Sequence, residues 1–143
     1  RSTPLYSSAA SDVYKRQRIY RAVRQLQHAS YIPLLAHAER YLCLRERGRP
    51  ELLVQSGAHL QVNFRSLAGG GSDRRVRWCR KQVLSGTVRF LATDMHNMTA
   101  RPPDTEEAVR WIRRRMGEEQ LARLVRENPQ SVLNNQILPH RLI

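Results

Sequence analysis

The chain has 143 residues, of which 41% are hydrophobic, with 25 Lys and Arg against 12 Asp and Glu for a formal charge of +13. This length predicts one domain at most, the apolar share excludes a wholly disordered chain, and no run of about 18 apolar residues suggests a membrane span. The charge favours nucleic acid as a partner, yet only Lys15 and Lys81 are lysines and the arginines scatter over the whole chain, a bias that GC-rich coding DNA also produces.

In chain order, residues 7–17 read SSAASDVYKRQ, which resembles the frame translation of a sequencing-library adaptor, so residues 1–17 are expected to be non-native and fold reading starts at Arg18. Ile19, Val23 and Leu26 then recur at helical spacing. Tyr31 to Ala36 (YIPLLA) predicts a short buried parallel strand ending at His37. Between Glu39 and Gln55, Leu42, Leu52, Leu53 and Val54 predict a helix, or a turn and then a helix, with Gly57 as its stop. Leu60 to Asn63 is a second strand. After Gly69-Gly70-Gly71, a helix carries Val76, Cys79 or Arg80, Val83 and Leu84. Thr87 to Ala92 (TVRFLA) is a third strand, running into Thr93-Asp94-Met95-His96. Beyond Pro102-Pro103, Asp104 as N-cap and Glu107 three residues later predict a capping box for a helix bearing Ala108, Trp111, Ile112 and Met116. A last helix carries Leu121, Leu124 and Val125 and is expected to stop at Asn128-Pro129. Strand and helix alternate three times, the pattern of parallel α/β architecture, in which chemistry gathers at the C-terminal ends of strands.

Two of the three strands end in candidate metal ligands. His37 follows the first directly; Asp94 and His96 follow the third. In an extended segment residues i and i+2 point the same way, so D-x-H can offer a carboxylate and an imidazole to one divalent ion such as Mn²⁺, Fe²⁺ or Zn²⁺. Arg40 and Arg101 lie close by in sequence, and a planar guanidinium binds two phosphate oxygens at once. Cys43 and Cys79 are too few for a disulfide framework and fit a reducing cytoplasm. Cys43 to Arg49 also satisfies C-x5-R, the pattern of cysteine-dependent phosphatases. No strand precedes it and no Gly-rich loop surrounds it, so the pattern is read as accidental.

At this point the blocks Ser30 to Tyr41 (SYIPLLAHAERY), Leu60 to Leu67 (LQVNFRSL), Ala92 to Asn97 (ATDMHN), Arg101 to Pro103 (RPP) and Asn128 to Asn135 (NPQSVLNN) resemble, in order, those of the bacterial capsular-polysaccharide type tyrosine phosphatases of the PHP (polymerase and histidinol phosphatase) superfamily. The resemblance implies an α/β fold, the C-terminal half of a distorted (βα) barrel made of three βα units plus terminal helices. It implies a divalent metal cluster, Mn²⁺ first among Fe²⁺, Co²⁺ and Zn²⁺, with His37, Asp94 and His96 among its ligands and Arg40 and Arg101 on the phosphate. The implied activity is hydrolysis of phosphotyrosine on the tail of a bacterial tyrosine kinase in polysaccharide export, in the cytoplasm. Ala38 stands where the family has Pro, which should loosen the turn beside His37. Phe64-Arg65 replaces a smaller pair and should lengthen side chains near the mouth.

The family's opening H-x-H and further His and Glu ligands would lie upstream of Arg18, and residues 18–143 are about half of the roughly 250 that close a barrel. The chain by itself is therefore expected to be inactive. Other phosphoesterases of the superfamily, such as histidinol phosphatases or nucleases, are alternatives. So is a basic nucleic-acid-binding module built on Arg74, Arg75, Arg77 and Arg80 and on Arg110, Arg113, Arg114 and Arg115, although with 6% aromatic residues it would lack stacking platforms. Nucleic acid is not expected as the partner.

Overall fold

The computed structural model describes residues 8–97, 99 and 104–138. Helix α1 (Ser8–His28) begins inside the stretch set apart above, where Val13 and Tyr14 remain exposed. Ile19 and Val23, one turn apart, bury its inner face, while Leu26 stays 43% exposed. The YIPLLA run yields only a two-residue strand, β1 (Leu34–Leu35), and it is not the buried strand expected. Pro33 has no N–H to give to a ladder, though its carbonyl accepts from His59 N–H at 2.8 Å. Because β1 is an edge of the sheet, Tyr31, Ile32 and Leu34 remain exposed.

The chain then takes two single 3-10 turns, Ala38–Arg40 and Leu42–Leu44, before α2 (Arg49–Gln55), the turn-then-helix version of the expectation. Gly57 follows at φ +91°, the left-handed stop that glycine takes without penalty. Strand β2 (His59–Asn63) is buried at all five positions. Helix α3 (Arg74–Leu84) starts at Asp73, whose carboxylate accepts from the N–H groups of Arg75 (2.7 Å) and Val76 (3.3 Å). Strand β3 (Val88–Ala92) follows.

Helix α4 (Glu106–Ala122) starts one residue later than predicted, with Thr105 as N-cap. Its Glu107 does not close a capping box; the carboxylate accepts from Gly69 N–H at 2.7 Å, tying α4 to the loop before α3. Gly117, at φ 84° and ψ 173°, breaks α4 into two pieces. Asn128-Pro129 does not stop the last helix. The chain passes through a π-helical turn (Arg123–Glu127) into α5 (Asn128–Leu133), where Pro129 sits in the first turn with a φ already suited to the helix. Asn128 is used instead as an anchor, donating to the Arg89 carbonyl at 2.8 Å.

The sheet is parallel throughout, in the order β1-β2-β3. Leu34 and Leu35 pair with His59 and Leu60; Leu60 then pairs with Val88 and Gln61 with Phe90, an irregularity that skips Arg89. One apolar cluster covers the sheet, with Leu44, Leu53, Leu60, Val62, Cys79, Val83, Val88 and Ile112 at 3% exposure or less. Removing these side chains from water supplies the main stabilising term, at about 1.5–3 kcal/mol for each large aliphatic group. Among the described residues, no helix is long and apolar enough to cross a membrane. A parallel α/β sheet is thus present as predicted.

Candidate active site

Because all three strands run the same way, the turn after β1, the turn after β2 and the segment after β3 meet at the C-terminal end of the sheet. His37 stands at the start of the first 3-10 turn with φ +54°, and Asp94, two residues beyond β3, has φ +55°. Left-handed backbone is uncommon outside glycine, although His and Asp adopt it more readily than most. Here it turns the two side chains toward each other: His37 Nε2 lies 3.7 Å from Asp94 Oδ1. The second oxygen of Asp94 accepts from the Arg40 guanidinium at 2.9 Å. One carboxylate therefore faces an imidazole on one side and a guanidinium on the other.

His96 is placed differently. The positive φ at Asp94 ends the extended alternation that would have aligned residues 94 and 96, and the His96 ring lies against the Asp94 backbone carbonyl, Nδ1 to oxygen 2.8 Å. Arg101 lies outside the described residues. Among the described residues, no three His, Cys, Asp or Glu side chains converge as a metal cage. The donors that do meet, one imidazole and one carboxylate, suit a divalent first-row ion in kind and supply part of a coordination shell.

A supporting network holds the His37–Arg40 turn against β2. Gln61 Oε1 accepts from His37 N–H at 2.8 Å while Gln61 Nε2 donates to Asn63 Oδ1 at 2.9 Å. Glu39, 3% exposed, accepts through Oε1 from the Ser66 hydroxyl (3.1 Å) and Asn63 N–H (3.4 Å); its Oε2 is buried with no partner among the described residues. The substitution of Ala38 for proline does not open the turn: Arg40 N–H reaches His37 O at 2.9 Å and Ala38 is fully buried. Phe64 packs into the core, whereas Arg65 reaches the mouth, so one half of that pair lengthens it. Beside Asp94 and Glu39 opens a cleft of about 410 Å³ with Arg40, Arg45, Arg65 and Arg75 in its walls.

Sequence reading gave no role to Glu39, Gln61, Asn63 and Ser66, although all four fall in the quoted blocks. For Gln61 and Asn63 the available signal was an amide alternating with Leu60 and Val62 in a buried strand; Glu39 and Ser66, in turns, offered none. Arg45 and Arg75 are brought to the cleft by tertiary folding alone. The C-x5-R stretch forms no phosphate loop: Cys43 is 3% exposed and Arg49 donates to Glu46 at 2.9 Å. Most helix arginines are likewise engaged internally. Arg77 donates to the carbonyls of Gly71 and Ser72, and Arg80 donates to that of Leu67 while stacking over Trp111 at 5.1 Å.

The sequence profile of the family described as "Capsular polysaccharide synthesis, CpsB/CapC" matches residues 10–134. The tyrosine-protein phosphatase CpsB of Streptococcus agalactiae is 32% identical over 123 residues, which are 82% of this chain and 51% of that protein. The tyrosine-protein phosphatase YwqE of Bacillus subtilis is 34% identical over 116 residues, 79% of this chain and 44% of that protein. A solved structure from the set "Crystal structures of YwqE from Bacillus subtilis and CpsB from Streptococcus pneumoniae, unique metal-dependent tyrosine phosphatases" superposes with a TM-score of 0.72 at 32% identity, covering 88% of this chain and 49% of that one. The chain spans about half the length of the curated relatives it matches.

Proposed function

Since the chain belongs to the CpsB/CapC family of capsular polysaccharide synthesis, we propose that it contributes half of the active site of a metal-dependent protein-tyrosine phosphatase. The observation that carries this reading is the meeting of His37, Asp94 and Arg40 at the C-terminal ends of β1 and β3, beside a basic cleft. His37, Asp94 and His96 would hold a divalent metal, Mn²⁺ being our choice, within a distorted (βα) barrel of which residues 18–143 form the C-terminal half and residues 1–17 no native part. When bound, such metals acidify water near neutral pH and offset phosphoryl charge during in-line displacement.

The protein's own contribution is positioning. Asp94 fixes the Arg40 guanidinium by a charge-assisted bond, so its remaining N–H donors are oriented before a phosphate arrives. Arg40 and Arg101 would bind the phosphoryl oxygens and neutralise the charge that develops on them. The Gln61 and Glu39 bonds hold the turn that carries both His37 and Arg40 in one conformation. The substrate we propose is the phosphotyrosine tail of a tyrosine kinase tied to polysaccharide export, in the cytoplasm; the two buried thiols are consistent with that compartment.

The test is phosphate release by the enzyme encoded by the complete reading frame, with and without Mn²⁺, from phosphotyrosine peptide, phosphoserine peptide and single-stranded DNA. Metal-dependent release from phosphotyrosine in preference to the others is expected. DNA cleavage, or steeply salt-dependent DNA binding without phosphatase turnover, would overturn the reading.

A further inference from the structure

Several arginines on the helices of this protein are neutralised where they stand. Arg110, Arg113 and Arg123 pair with Glu106, Glu118 and Glu119 at hydrogen-bonding distance on or next to their own helix. The cleft beside Asp94 is different. Arg45 donates to the backbone carbonyl of Glu39 at 3.2 Å and, among the described residues, to no carboxylate. Arg65 approaches Asp104 only to 3.8 Å, and Arg75 approaches Asp73 only to 3.9 Å, with side chains 59% and 50% exposed. Exposed pairs at such distances hold weakly, and the Asp73 carboxylate is already capping α3. Each guanidinium has five N–H donors, so most donors of this trio are uncommitted.

The three also come from three separate pieces of chain: the end of the second 3-10 turn, the turn after β2, and the first turn of α3. A solvated helix face cannot produce that convergence. Arg45 and Arg75 line the same cleft. Asp73 is held below the usual carboxylate range first by the N–H groups of Arg75 and Val76, and in addition by the charges of both arginines. Arg40, by contrast, is tied to Asp94 on the catalytic side of the same cleft.

We propose that Arg45, Arg65 and Arg75 form a second anion subsite that selects substrates carrying another negative group, a carboxylate or a second phosphate, next to the phosphotyrosine. This rests on the phosphatase reading above and adds a peptide specificity to it. Two anions on one peptide bind the two subsites as linked ligands, so the second contact adds to affinity without new ordering of the peptide's overall position.

The proposal is tested on the enzyme encoded by the complete reading frame, held without added metal so that peptides are not turned over, by fluorescence anisotropy at fixed salt, using short peptides. One carries phosphotyrosine flanked by Ala, one phosphotyrosine flanked by Glu, one two adjacent phosphotyrosines, and one Glu flanks around unmodified Tyr. The Glu-flanked and doubly phosphorylated peptides are expected to bind about tenfold tighter than the Ala-flanked one, corresponding to one charge-assisted contact. Their relative order tells whether carboxylate or phosphate is the preferred second anion. The R45Q/R65Q/R75Q variant should lose that preference. A charge reversal, Arg75→Glu, should favour Lys flanks instead, and it keeps the test decisive where the triple variant fails to fold. Equal affinity for Ala-flanked and Glu-flanked phosphopeptides would overturn the subsite while leaving the phosphatase reading intact. Equal affinity for Glu-flanked peptide with and without phosphate would sink the phosphotyrosine reading while leaving the anion subsite standing.

Discussion

Glu39 ties the His37–Arg40 turn to the end of β2 and the turn after it. Replacing Glu39 by Ala removes the acceptor for the Ser66 hydroxyl and for Asn63 N–H, both on residues under 8% exposed. A buried donor left unpaired costs about 1–3 kcal/mol, and the 3.4 Å bond to Asn63 belongs at the low end of that range. Against this, the variant also removes Oε2, which is buried without a donor among the described residues, and that relief offsets about 1 kcal/mol. The expected net loss for Glu39→Ala is about 1–3 kcal/mol. Glu39→Gln keeps one acceptor oxygen and should lose less than about 1 kcal/mol. Urea unfolding of the 143-residue chain, followed by Trp78 and Trp111 fluorescence, reads both values. Ser66→Ala closes a double-mutant cycle, with a coupling to Glu39→Ala of about 1 kcal/mol expected. Equal stability of the Ala and Gln variants, or strict additivity with Ser66→Ala, would refute the assigned role of Glu39.

Three further outcomes are expected. Burial, followed by the charge of Glu39, pushes the Cys79 thiol from 9.0 up to about 12. The folded state favours the neutral thiol, so this contribution is complete below pH 9 and declines as pH rises toward 12, at about 1.4 kcal/mol per pH unit. Urea midpoints at several alkaline pH values should therefore fall more steeply for the parent chain than for Cys79→Ala; parallel curves would sink this account. Ile112, fully buried, should cost about 2–5 kcal/mol when cut to Ala, whereas Leu133, 79% exposed, should stay within about 0.5 kcal/mol in the same unfolding assay. Gly117→Ala should lose about 1–3 kcal/mol from backbone strain at φ 84°, since nothing lies within 4 Å of an added Cβ, while Gly71→Ala, equally open and without positive φ, should be neutral by thermal melting.

Local signals carried most of the fold into view. β2 and β3 lie within one residue of their predicted limits; in β3, β-branched and aromatic residues follow directly on Ser85-Gly86. β1 shrank because its apolar residues sit on a sheet edge next to Pro33, a property of neighbours rather than of the run itself. Glu107 and Asn128 were read as local punctuation, yet both spend their side chains on distant backbone, Gly69 N–H and Arg89 O. At the site, His37 and Asp94 were legible as strand-end residues and do meet, whereas the orientation of His96 depends on the left-handed backbone at Asp94, which no residue spacing reveals. The arginine convergence was equally hidden, since residues 45, 65 and 75 are joined only through packing of α3 against the turns beside it.

The central claim is that phosphate ester hydrolysis runs through the His37–Asp94–Arg40 arrangement and not through a cysteine. The most direct test measures Mn²⁺-dependent phosphate release from a phosphotyrosine peptide by the complete-frame enzyme and by its His37→Ala and Cys43→Ser variants. The account predicts a loss of at least about a hundredfold for His37→Ala, as for a deleted metal ligand, and near-parental turnover for Cys43→Ser. Turnover that survives His37→Ala, or that vanishes with Cys43→Ser while the fold persists by circular dichroism, would contradict it.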